Sequence, residues 1–419
     1  GYNEDAIRDK QLISDLTESF IKERLITLGE ELNSADNEVA SFKQDNRLYS
    51  PSNEVTMGAE ELARLKKEAF YVRVGGKNMA ELVSMPVKRV RYDGYATMSL
   101  LQEYEEPVLM EKGDTLSTWR QFISVGKGDF FGPLRQFSEY MEAYEGYVPQ
   151  ASEPEAFEAV WCAWGYERTF TVDEVLGTLP KVKELGFKWV DVDDGFQIAE
   201  GDWETNNRFN GTRDMRRITD AIHSYGLKAK LWWAPLAADP DTKVLREHPE
   251  MLLQDHQGAP EYITWWDSWY LSPVNPATME YTLDLVDRFI DEWGFDGLKL
   301  DGQHLNCCLP DHNHHSHLEY PEESVEKLPE FFQGIFDRAR EIKPYSVVQI
   351  CPCGCAMNFF LTPHMNQAVA SDPTSSAQIR MKRKVYGAMC PDMAYYADHI
   401  ELSDNENDYG TQIGIGGVI

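Results

Sequence analysis

The run FDGLKLDG, Phe295 to Gly302, ends a short apolar stretch on an aspartate and follows it at once with glycine. Side chains alternate along a strand, so Lys299 and Asp301 share one face while Leu298 and Leu300 share the other. In QAVASDP the same reading puts Ala368, Ala370 and Asp372 on one face, the acid last, with two small residues leaving space beneath it. In WVDVDDGF, Asp191 and Asp193 alternate with Val190 and Val192, and Asp194 enters a turn closed by Gly195. Several acids at one strand end are costly unless paired or hydrogen-bonded. Asp before Gly is also ordinary turn chemistry, and any one of these residues could simply cap a helix. Placed together at three strand ends, they point to a site. Two carboxylates facing each other across a sugar-sized gap are what glycosidic cleavage needs. One attacks or activates water, and the other protonates the departing oxygen. Lys299 beside Asp301 is expected to hold it ionised by lowering its pKa. Asp372 needs a partly desolvated position that keeps its proton.

These residues have to be positioned by a repeating scaffold. From about Ala156, short apolar runs alternate with amphipathic segments. The candidate strands are AVWCAWGY, FKWVDVDDGF, LKAKLWWAPL, FDGLKLDG, YSVVQICPCG, QAVASDP, AYYADHIEL and TQIGIGGVI. Helical segments such as TVDEVLGTLPKVKELG and EYTLDLVDRFIDEWG lie between them and end near a glycine that can cap a helix. Eight strands in this alternation predict an α/β fold, a (β/α)8 TIM barrel over residues 151–419, with its site at the C-terminal ends of the strands. A doubly wound open sheet is the fallback, but no GxGxxG follows the first strand, so no nucleotide cofactor is expected. Residues 1–50 read as a polar helical segment. Residues 51–150 read as a partial β-rich domain followed by a connecting helix in GDFFGPLRQFSEYMEAY.

With that order established, the motifs VDDGF, LWWAP, HPEMLL, NPATMEY, GLKLD, CPCG and SDPTSS resemble, in sequence, the landmarks of glycoside hydrolase family 36. These are the α-galactosidases and α-N-acetylgalactosaminidases of the melibiase clan. The resemblance runs from roughly Gly128 to the end. It implies a retaining reaction with Asp301 as nucleophile and Asp372 as general acid/base. Asp193 and Asp194 would bond the axial 4-hydroxyl and the 6-hydroxyl of a galactose-like ring, and Lys299 its other hydroxyls. Trp233 and Trp164 would wall the pocket, and Cys351 would precede a glycine-containing substrate loop. The chain departs from the family at Pro373, at LWWAP where a glutamate is usual, and before NP, where an arginine is missing. Trp265, Trp266 and Asp267 stand there instead as a candidate wall. The expected substrate is therefore a terminal α-linked galactose, N-acetylgalactosamine or galactosamine on an oligosaccharide or glycoconjugate. A non-catalytic carbohydrate-binding relative is the reading from another class.

The remaining features are less pointed. His312, His314, His315 and His317 with Asp311 could bind a transition metal, but irregular loop histidines are more often solvated, and no metal enters the expected mechanism. Cys351, Cys353 and Cys355 in CPCGC lack zinc-site spacing and read as buried thiols near the pocket. His399, in ADHIEL after Asp398, is placed either to reach the substrate or orient Asp372, or simply to pack. A net charge of -30 repels nucleic acid and anionic membranes. No window has the roughly 20 apolar residues of a membrane span. Seven cysteines in 419 residues favour a reducing, cytoplasmic setting over a disulfide framework, although a removed export signal would place the chain in the periplasm or outside. Homo-oligomerisation is left open.

Overall fold

The computed structural model describes residues 110–115, 122, 124, 128, 129 and 131–397, apart from 356, 371 and 373–375. The expected N-terminal helical segment, nearly all of the β-rich domain, the eighth candidate strand at 411–419 and His399 lie outside those residues. The connecting helix is present as α1 (Phe131–Glu145).

Twelve strands follow in chain order: β1 (Val160–Cys162), β2 (Trp189–Val192), β3 (Gln197–Ala199), β4 (Asp202–Thr205), β5 (Lys228–Trp233), β6 (Ala237–Ala238), β7 (Tyr262–Ile263), β8 (Ser268–Tyr270), β9 (Gly297–Asp301), β10 (Val347–Cys351), β11 (Gln367–Val369) and β12 (Ala394–Tyr396). Seven of them form one sheet in the order β1-β2-β5-β9-β10-β11-β12, with every pairing parallel. Parallel neighbours need a crossover, and the helices supply it: α2 (Val172–Glu184), α3 (Gly211–Ser224), α4 (Pro276–Asp287), α5 (Leu328–Ile342) and α6 (Ser376–Met389).

Local chemistry fixes the helix ends. Thr171 and Glu174 cap α2 reciprocally: the Glu174 N–H donates to the Thr171 hydroxyl (3.3 Å), and the Thr171 N–H to the Glu174 carboxylate (2.8 Å). Asn275 caps α4, with Pro276 at its first turn. In α5 the buried residues Leu328, Phe331, Phe332, Ile335, Phe336 and Ala339 recur at three and four, a single stripe against the sheet. Each of the Leu, Ile and Phe side chains contributes roughly 1.5–3 kcal/mol on burial.

The sheet has two unlike faces. Val190, Val192, Leu231, Leu298, Leu300, Val348 and Ile350 point to the helices and are completely or almost completely buried. The other face packs Val160, Trp189, Val347, Cys351, Val369, Ala394 and Tyr396 into a separate inner cluster. Lys230 on β5 reaches Gln367 on β11 at 3.2 Å and sits 5.3 Å from the Tyr396 ring on β12. A flat sheet would hold those strands far apart, so the sheet curls around this face as part of a barrel does.

Two antiparallel additions were not expected. The β3–β4 hairpin follows β2, and β6-β8-β7 form a three-stranded sheet after β5. No helix among the described residues is long and apolar enough to cross a membrane.

Candidate active site

Alternation along the inner face puts the polar residues at one end of the curled sheet. The register pairs Asp191 with Lys230, Trp232 with Lys299, and Asp301 with Cys351. Beneath the site lies a buried ionic floor. Lys230 and Asp191 are 3.2 Å apart and each 1% exposed, while Gln349 and Lys230 both donate to the Gln367 side-chain oxygen. Burial pushes the Asp191 carboxyl up and the Lys230 ammonium down, and each opposes that shift in the other.

Above the floor, Asp193 takes Lys299 at 3.0 Å and the Cys162 thiol at 3.1 Å on one oxygen, and the Asp194 N–H at 2.9 Å on the other. Asp194 is held by the Gln197 amide at 2.7 Å and by Arg168 at 2.6 Å. Burial raises its carboxyl, and Gln197 and Arg168 oppose that. Arg168 comes from the 3-10 segment Ala163–Thr169 after β1 and was not anticipated. Its trace in the sequence is Gly195: the backbone there has φ +127°, and a Cβ would lie 2.3 Å from the Arg168 carbonyl oxygen. Only glycine lets the two turns meet.

Asp301 ends β9 with its carboxyl raised to about 7, because burial outweighs Lys299 and the hydrogen bonds from Trp232 and Cys351. The expected net lowering by Lys299 is thus corrected: Lys299 pulls in that direction, but it is salt-bridged to Asp193, and desolvation dominates. The Trp232 indole N–H donates to Asp301 Oδ2 at 2.9 Å. Oδ1 is buried with no hydrogen-bond partner among the described residues. Gly302 follows with φ +136°, where a Cβ would lie 2.3 Å from the His304 ring. His304 is buried, donates from Nε2 to the Pro235 carbonyl at 2.7 Å and is pushed down to about 4, so it is neutral.

Asp372 is placed by a different route. β11 ends at Val369 with Gln367 and Val369 on the inner face, so Ala368 does not lie beneath the acid as expected from alternation. The chain turns instead, and Asp372 sits in a bend at φ +40°, exposed rather than partly desolvated. Its Cβ is 3.8 Å from where a Cβ on Gly354 would stand. The neighbouring Cys353 thiol, next to Gly354, lies within electrostatic range of both Asp372 and Asp301. Both acids thus act electrostatically on one buried thiol.

The tryptophans require a second correction. Trp233 points outward, 1% exposed, against Phe289 and Trp203, so it cannot wall the pocket. Trp232 has the inner-face parity of Lys230 and is the tryptophan that reaches Asp301. Trp266 lies against it with ring centroids 5.7 Å apart, and Trp265 beside it is 68% exposed. Asp267, at φ +52°, accepts from the Tyr262 hydroxyl at 2.8 Å. Trp164 is half-buried in the 3-10 segment that carries Arg168. Glu200, on the β3–β4 turn, is raised to about 7 by burial and by Asp239 beside it. In the histidine loop, Asp311 accepts from the Gln254 and Asn313 N–H groups and from Ser316, which commits it to holding the loop. Among the described residues, no three His, Cys, Asp or Glu side chains come together as a metal-holding group.

Comparison with known proteins identifies the family. The chain is 30% identical over 321 residues to the A type blood α-D-galactosamine galactosaminidase of Flavonifractor plautii, covering 73% of this chain and 29% of that protein. It is 22% identical over 244 residues to α-galactosidase 1 of Pediococcus pentosaceus, covering 54% and 31%. The chain therefore spans under a third of the length of these relatives. Among solved structures, the α-galactosidase of Thermus thermophilus in complex with p-nitrophenyl α-D-galactopyranoside superposes with TM-score 0.52 at 21% identity, over 67% of this chain and 61% of that one. Residues 156–411 match the Melibiase family pattern, and on that match the chain belongs to the Melibiase family.

Proposed function

We propose that this chain carries the catalytic barrel of a retaining, exo-acting α-glycosidase for terminal α-linked galactose-type residues, with the curled sheet completed to eight strands. The observation that carries the reading is the state of Asp301. One oxygen is held by Trp232, the other is buried with no hydrogen-bond partner among the described residues, and the group stands at the end of β9 on the inner face of the sheet.

Asp301 Oδ1 attacks the anomeric carbon as Asp372 gives its proton to the glycosidic oxygen, so the C–O bond breaks and the aglycone leaves as an alcohol. Water, deprotonated by Asp372, then attacks the same carbon and releases Asp301. Asp193 and Asp194 bond the ring's 4- and 6-hydroxyls. Their carboxylates are oriented in advance by Lys299, Arg168 and Gln197, which lowers the cost of ordering the sugar. Lys299, Cys351 and Trp232 border the ring, with Trp164 and Trp266 at its edge.

A second reading, an α-galactosaminidase on the same scaffold, is favoured by the 30% identity to the Flavonifractor plautii enzyme. Both are tested by a panel of aryl α-galactoside, α-N-acetylgalactosaminide, α-galactosaminide and α-glucoside substrates, with the first-formed anomer read by proton NMR. Release of an α-configured galactose-type sugar supports retention. A β-configured first product means that Asp301 activates water instead.

A further inference from the structure

The segment Cys351-Pro352-Cys353-Gly354-Cys355 leaves β10 directly over the site, and its middle thiol has no part in the mechanism above. Cys353 is 9% exposed and has φ +44°, a left-handed backbone conformation that a side chain with a Cβ resists. Glycine would take that conformation freely, so a side chain is present at this position despite the strain. Strain of this kind persists only where surrounding contacts over-determine it, and it clusters at functional sites.

We propose that Cys353 is a positioning residue for Asp372: its thiol donates to the carboxylate and holds it turned toward Asp301, ready to exchange a proton with the glycosidic oxygen.

Three further observations support this. Asp372 itself is exposed and sits in a left-handed bend three residues beyond the end of β11, where the Gly354 backbone comes close to it. Burial, then Asp301 and Asp372, push the thiol's pKa far above its ordinary value. It therefore stays a neutral S–H donor across the working pH range. The two loops are also tied together, since Lys382 on α6 donates to the Gly354 carbonyl at 3.2 Å and the Ala370 carbonyl at 3.5 Å. The titratable groups acting on Cys353 are Asp301, Asp372 and Cys355, and Lys382 faces Cys355.

This inference rests on the glycosidase reading. The test compares Cys353→Ala, Cys353→Ser and Cys353→Gly with the parent on two α-galactosides, one with an alkyl leaving group that needs a proton and one with a strongly acidic phenol that does not. The alanine and glycine variants should lose about tenfold in kcat/KM on the alkyl substrate and under twofold on the aryl one. The alkaline limb of their pH profile on the alkyl substrate should also move. The serine variant should recover most of the loss. The glycine variant should melt no lower than the parent, because it relieves the strain at this position while removing the donor. Equal losses on both substrates, an unmoved pH limb or no recovery by serine would overturn the proposal. A parent protein active on neither substrate, nor on the wider aryl panel, would instead overturn the glycosidase reading and this inference with it.

Discussion

The indole N–H of Trp232 lies 2.9 Å from Asp301 Oδ2, while Oδ1 has no hydrogen-bond partner among the described residues. The bond joins the third strand of the sheet to the fourth and decides which oxygen is presented. A hydrogen bond to a charged group is worth about 1.5–3 kcal/mol. Trp232→Phe should therefore raise the Asp301 pKa further and move the acid limb of the kcat/KM profile up by about one pH unit. Trp233→Phe should leave the limb in place. A pH–rate series on both variants separates the two residues.

The parent itself should show an acid limb near neutrality. Asp301 must be ionised to attack, and burial holds its carboxyl at about 7. The kcat/KM value, which reports the free protein, should fall tenfold per pH unit below that point. A profile flat from pH 5 to 8 would mean that Asp301 is not the attacking group.

The same group makes a statement about stability. Its folded pKa of about 7 lies above the ordinary value near 3.9. Between those values the folded state binds more protons than the unfolded one, so stability falls as pH rises through the window. Asp301→Asn removes this loss. The variant should be inactive, and its melting temperature should exceed the parent's by more at pH 8 than at pH 5, as calorimetry would show.

Arg168 acts through Asp194. Arg168→Ala should leave Asp194 to Gln197 alone and loosen the contact to the sugar without touching the reacting bond. The expected result is a KM raised about tenfold with kcat largely retained, since uniform binding is what is lost. Initial-rate kinetics on an aryl α-galactoside decide it, and a kcat loss at unchanged KM would contradict the assignment.

The ionic floor predicts a double-mutant pattern. Lys230→Met strands the buried Asp191 charge and should cost about 3–5 kcal/mol in urea unfolding. Lys230→Met combined with Asp191→Asn should recover much of that. Additive losses would show that the pair is not coupled.

Periodicity alone was enough to predict parallel β/α alternation, the strand ends of β2 and β9, and the inward direction of Lys299 and Asp301. A two-residue repeat and a glycine after an acid are local properties of the chain. It could not say which tryptophan of Trp232-Trp233 faces the site, because a strand buried on both sides carries apolar residues on both faces. The parity of Lys230 was the available clue. It misplaced Asp372 because the strand ends three residues earlier, and a left-handed bend resets the alternation. Arg168 beside Asp194, the bond from Trp232 to Asp301 and the approach of Gly354 to Asp372 join separate segments of the chain. They exist only because the sheet curls and brings those strand ends and loops to one rim. The residue types capable of the chemistry are written in the sequence, while their pairing, and the burial that sets Asp301 near 7, belong to the tertiary structure, since desolvation and cross-strand contact are properties of packing.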